Sequence, residues 1–123
     1  MSQYMVGLPD LVIPNAGTDS NILYERGVIA GGVTDGFGFR DADNIEIFAP
    51  ATLPESVVVQ VDSAFQAPPD NFDTLQLTPG TDLTIQAGKS IVIVGPSFRQ
   101  LKLHATVAVG GARTFKVNKR VKV

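Results

Sequence analysis

A chain of 123 residues with 44% hydrophobic and 18% charged side chains has apolar material for one core and no room for two domains. It contains no cysteine, which excludes disulfides, thiolate zinc sites and cysteine nucleophiles. The net charge of −2 is unevenly placed: all 12 acidic residues precede residue 99, whereas Arg99, Lys102, Arg113, Lys116, Lys119, Arg120 and Lys122 follow with no acid among them. Such asymmetry marks either an electrostatic docking surface or basic strands that lie beside acidic ones and cancel locally. A charged fraction below the usual ~25% points to surface covered by a partner.

In chain order, Met1-Ser2-Gln3-Tyr4 has no basic stretch leading into an apolar run, so no signal peptide is expected. No apolar run approaches the ~20 residues of a membrane helix, and synthesis in the cytoplasm with no membrane association is the expectation. The first 19 residues form an N-terminal arm or first strand. Their apolar groups (Tyr4, Met5, Val6, Leu8, Leu11, Val12, Ile13) look exposed and are interrupted by Gly7, Pro9 and Pro14. This segment is either a strand of the main sheet or an extension that orders against a neighbouring subunit and is removable without unfolding the rest.

Residues 20–123 read as a single β-sandwich domain. No stretch keeps the i, i+3, i+4, i+7 pattern of a long helix, and short β-branched runs are broken by Gly, Pro, Asn and Asp instead. Strands are predicted near 10–13, 20–30, 44–49, 56–62, 72–77, 82–86, 90–94, 98–107 and 112–122. Within 56–62, Val57, Val59 and Val61 share one face, opposite Val58, Gln60 and Asp62. Within 44–49, Ile45 and Ile47 oppose Glu46 and Phe48. Residues 90–94 are apolar on both faces, which predicts a central or covered strand. In 98–105, Leu101, Leu103 and Ala105 oppose Gln100, Lys102 and His104. In the last strand, Phe115, Val117, Val121 and Val123 oppose Thr114, Lys116, Asn118, Arg120 and Lys122. The fold class that follows is all-β: an antiparallel two-sheet sandwich, jelly-roll-like, of about eight strands with an extended N-terminal arm.

Candidate chemistry is sparse. The one histidine, His104, lies on the polar face of its strand with no nucleophile signalled beside it, so it reads as a surface residue and not as half of a catalytic dyad. Asp41-Ala42-Asp43-Asn44 offers oxygens at alternate positions, as calcium loops do, but lacks the glycine and glutamate of an EF-hand and reads as a turn. Gly31 to Phe39 is glycine-rich without the lysine of a phosphate loop. Its Phe37 and Phe39 either pack on the core or serve as contacts in an assembly. A pI of about 5.2 and no aromatic residue on the cationic face of the last strand argue against nucleic acid. No cofactor, no metal and no enzymatic activity are expected.

Three stretches carry a resemblance: Asn44 to Leu53 followed by Val57 to Val61, Ser97 to Leu103, and Ala112 to Asn118. In this order they resemble small virion proteins of tailed bacteriophages, and in function the nearest analogy is a capsid decoration (cement) protein. The resemblance implies a β-sandwich that clamps major capsid subunits from outside the head, as a homo-oligomer with a trimer favoured. A neck or minor tail protein is the alternative, and a host-surface adhesin a more distant one. The partners would be the major capsid protein or other virion subunits, and the working location the virion. The contact residues expected on this reading are Tyr4, Met5, Val6 and Leu8 in the arm, Phe37 and Phe39 in the loop, and Arg113, Lys116 and Arg120 at the end.

Overall fold

Residues branched at Cβ lose rotamer freedom in a helix and pack well on a pleated surface, so runs of Val, Ile and Thr cut by glycine and proline become strands. The computed structural model describes residues 3–25, 38–62 and 72–122, and among these there is no helix. The strands in chain order are β1 (Gln3–Ile13), β2 (Leu23–Tyr24), β3 (Asn44–Phe48), β4 (Val57–Asp62), β5 (Asp73–Thr74), β6 (Gln76–Thr78), β7 (Thr81–Asp82), β8 (Thr84–Ile85), β9 (Ser90–Val94), β10 (Gln100–Ala105) and β11 (Arg113–Lys122). Every pairing among them is antiparallel.

Two sheets result. The first has the order β1-β11-β3-β9, and the second β2-β10-β4-β5 with β8 also on β4. Their inner faces share one core. Leu8, Leu11, Ile13, Ile45, Ile47, Ile93, Phe115 and Val117 come from the first sheet, and Leu23, Val57, Val59, Ile85, Leu101, Leu103 and Ala105 from the second. The predicted alternation holds for β10 and for most of β11. Phe39 and Phe98 close one end of the core, with ring centroids 5.5 Å apart and the planes tilted by 52°, a separation at which aromatic pairs attract.

The N-terminal segment is a strand of the main sheet. It pairs with β11 from Gln3 opposite Lys122 to Ile13 opposite Arg113, with a register shift between Leu8 and Leu11 around Pro9. Pro9 and Gly7 look like breakers in sequence, yet the bulge accommodates the proline and the ladder continues on both sides. Leu8, Leu11 and Ile13 are buried, which corrects their exposed-looking character. Asn21 serves the bulge from outside: its Nδ2 donates to the Asp10 carbonyl at 3.0 Å, and its Oδ1 accepts from the Val12 amide at 2.8 Å.

A second correction concerns β9. It is an edge strand with β3 as its partner, and Val92 and Val94 are 50% and 78% exposed. Apolar residues on both faces therefore do not mean a central strand here. A third concerns the predicted strands 72–77 and 82–86. Each is divided in two, the first into β5 and β6 and the second into β7 and β8; β5 and β8 flank β4 in turn, and the hairpin β6–β7 projects between them. Its turn, Thr78 to Thr81, places Gly80 at φ 86°, the left-handed position that glycine after proline fills in a type II turn.

Because β1 fills the core, it is not removable. Leu11→Ala should lower stability by about 2–5 kcal/mol, the usual range for a fully buried leucine, read as a shifted midpoint in denaturant unfolding. Deleting residues 1–14 should abolish the cooperative transition altogether.

Candidate binding surfaces

Strand β11 shows how the two faces of the first sheet divide. Phe115, Val117 and Val121 point inward and are buried. Between them, at the same parity, stands Lys119, 5% exposed. Its Nζ donates to the Gly38 carbonyl at 2.6 Å and to Asp41 Oδ1 at 2.7 Å. A buried ammonium is tolerated when an opposite charge and a hydrogen-bond acceptor replace water, and Asp41 supplies the charge. The Asp41 turn thus serves a lysine, and no group of three or more potential metal ligands occurs among the described residues. In sequence Lys119 stands out only as one of the C-terminal cations; its place on the apolar side of the alternation is the signal that it turns inward.

Five more of the C-terminal cations are also partnered. Arg99 pairs with Glu25 at 3.3 Å, Lys102 with Asp19 at 3.1 Å, Lys116 with Asp10 at 2.9 Å, and Arg120 with Glu46. Arg113 makes a two-pronged contact with Glu55, Nε to Oε1 at 3.0 Å and Nη2 to Oε2 at 3.1 Å. Every one of these acids precedes residue 99, so these C-terminal cations meet acids from the earlier part of the chain.

On the outer face of the second sheet, Asp19 joins the loop before β2 to β10. Its Oδ1 lies 2.9 Å from His104 Nδ1 and 3.1 Å from Lys102 Nζ. The Lys102 ammonium also sits 4.6 Å from the centre of the Phe72 ring, within cation–π range. Around Asp19 the backbone is tied to β10 by Ser20 N to Leu103 O at 3.0 Å and Ala105 N to Thr18 O at 2.7 Å. The His104–Asp19 pair therefore pins a loop to a strand.

The residues expected to make partner contacts are dispersed. Tyr4 and Met5 are about half exposed, and Val6 is half-buried. Leu8 and Phe39 are in the core and present nothing to a partner, which corrects their assignment as contacts. Phe37 lies outside the described residues. Arg113 is engaged with Glu55, its side chain 14% exposed, whereas Lys116 and Arg120 remain accessible at 71% and 40% despite their ion pairs. Lys116, Arg120 and Met5 do share one surface, the outer face of the first sheet, because Met5 pairs with Arg120 across the ladder. Asn44, Glu46, Phe48, Asn118, Val92 and Val94 also lie on that face by register. Val92 and Val94 are not among the expected contacts, because a strand apolar on both faces predicts a central or covered position.

No helix among the described residues is long and apolar enough to cross a membrane. No protein-family model, no curated protein and no solved structure matches this chain.

The ion pairs set an acid limit on the fold. Hydrogen bonds from Arg113, above all, hold the Glu55 carboxyl below its ordinary value of 4.5. Burial pushes the Asp19 carboxyl up, but hydrogen bonds from His104, Lys102 and Thr18 together outweigh it and leave Asp19 below 3.8. Both groups bind protons less readily folded than unfolded, so their stabilisation is complete above those ordinary values and lost as pH falls through the lower folded ones. Thermal midpoints should therefore drop as pH falls below the unfolded Glu55 value of 4.5. Glu55→Gln, less stable than the parent at neutral pH, should show a shallower drop.

Proposed function

We propose that this chain is a structural subunit of a tailed-phage virion, acting as a decoration protein on the outside of the capsid. The observation that carries the reading is the outer face of the first sheet, the side turned away from the core, with apolar side chains exposed at its edges. Exposed Met5, Val92 and Val94 lie at its two margins, and Asn44, Glu46, Asn118 and Arg120 occupy the centre. Paired charges beside exposed apolar groups suit a surface that docks on another folded subunit, where charge must be neutralised before water leaves.

The strand order supports the same reading. Each sheet interleaves early and late strands, β1 with β11 and β2 with β10, so the chain passes back and forth between layers. We take this as jelly-roll connectivity, an architecture used by viral capsid domains among others. Fold alone does not assign function. The resemblance of residues 44–61, 97–103 and 112–118 to small phage virion proteins supplies the capsid as partner.

Purified protein should co-sediment with expanded heads of the phage that encodes it. Met5→Asp combined with Lys116→Glu should weaken that binding about tenfold, a loss on the order of 1.4 kcal/mol, while leaving the circular dichroism spectrum intact. A chain that ignores expanded heads and is found only at the neck or tail would refute the decoration role.

A further inference from the structure

Strand edges are hazardous because their unpaired amides and carbonyls accept any passing strand, and proteins blunt them with prolines, bulges, charges or very short strands. Among the described residues, three of the four edges of the two main sheets are blunted. The β1 edge carries Pro9 and a bulge whose backbone groups are occupied by the Asn21 side chain. The β2 edge is two residues long, and the edge beyond β4 is broken into β5 and β8. The β9 edge, Ser90 to Val94, has none of these devices: no charge, no proline and an unshifted register with β3.

The register shows which groups face outward. Gly95 donates its amide to Asp43 O at 2.7 Å, and Ala49 donates to Lys89 O at 2.9 Å. Residues of that parity, Ile91 and Ile93 included, thus spend their backbone groups on β3. In an antiparallel ladder the intervening residues point the other way. Ser90, Val92 and Val94 therefore turn both amide and carbonyl to the open edge, and no hydrogen bond from those groups to another described segment is present.

We propose that β9 pairs antiparallel with β9 of a second copy of this chain, about a two-fold axis through Val92, joining two four-stranded sheets into one. That register uses every outward group: Val92 opposite its own copy, and Ser90 opposite Val94 in both directions, for about six main-chain hydrogen bonds. It sets Ile91 beside Ile93 of the second copy on the inner side and places the valines of the two copies side by side on the outer side, where that face stays open. By register Lys89 falls opposite Gly95 of the second copy, whose amide is held by the Asp43 carbonyl one strand further in. A two-fold contact is self-complementary by construction, as an uncharged, nearly palindromic Ser-Ile-Val-Ile-Val strand requires.

The chain has no cysteine of its own, so single cysteines test the axis directly. On the two-fold, Val92→Cys places two Cα atoms about 5.5 Å apart, inside the range a disulfide spans. Val94→Cys places them roughly 14 Å apart, since each lies two residues from the axis. Under mild oxidation Val92→Cys should give covalent dimer at least about tenfold faster than Val94→Cys, although Val94 is the more exposed. Sedimentation velocity of the unmodified protein should show a concentration-dependent species of twice the 13.0 kDa monomer, and Val92→Lys should remove it with an unchanged circular dichroism spectrum. Equal or faster cross-linking through Val94→Cys, or a monomer at every concentration up to the solubility limit, would overturn the proposal. Failure to bind phage heads would not touch it, because the dimer is independent of what the domain docks on.

Discussion

The pairing of β1 with β11 is the constraint on which the rest of the structure depends. It joins residues a hundred or more positions apart, Gln3 beside Lys122 and Ile13 beside Arg113. Once β11 has β1 on one side and β3 on the other, Phe115 and Val117 are aimed into the core and the first sheet can close over the second. Contacts of such sequence separation carry a loop-closure entropy that local contacts do not, and folds built on them form slowly. Before this ladder is in place, Leu8, Leu11 and Ile13 have no burial site.

The same ladder brings opposite charges together. Lys116 meets Asp10 of β1, and Arg120 meets Glu46 of β3. Exposed pairs of this kind add little stability, but they reduce the field that a basic C-terminal stretch would otherwise project. A surface so neutralised selects a partner by shape and close contact more than by long-range steering. Arg113–Glu55 and Lys119–Asp41 differ, because their cations are largely shielded from water. These two pairs tie β11 to the turns before β4 and β3.

Much of the all-β fold was legible in the sequence, because a period of two in hydrophobicity has one physical meaning when one face is buried. β3, β4, β10 and β11 coincide closely with predicted strands for that reason. β1 was under-read at 10–13, since Gly7 and Pro9 break a strand in isolation and are absorbed only when β11 holds the segment on both sides of a bulge. β9 was misplaced because a strand apolar on both faces has the same composition whether its second face is covered by its own chain or left exposed. Charge was harder still: the imbalance between the two parts of the chain was plain, but which Asp or Glu meets which Lys or Arg depends on register between strands far apart in sequence. Of the candidate contacts, Tyr4, Met5, Lys116 and Arg120 are accessible. Leu8 was lost to the core by its inward parity, and Phe39 by packing against Phe98.

The β6–β7 hairpin departs from the two-sheet plan. It stands between two halves of one strand position, and every residue in both of its strands is exposed, Leu77 at 65%. It is held by its own cross-strand contacts, Gln76 Nε2 to Asp82 Oδ1 and the Gly80 amide to Gln76 Oε1, both at 3.2 Å. The ladder beneath it closes without it, through Leu83 N to Leu75 O at 2.8 Å. The domain is therefore modular at this point. A foreign peptide spliced between Pro79 and Gly80 would ride on a stem already sealed at its base, leaving the core below indifferent to what is displayed above it.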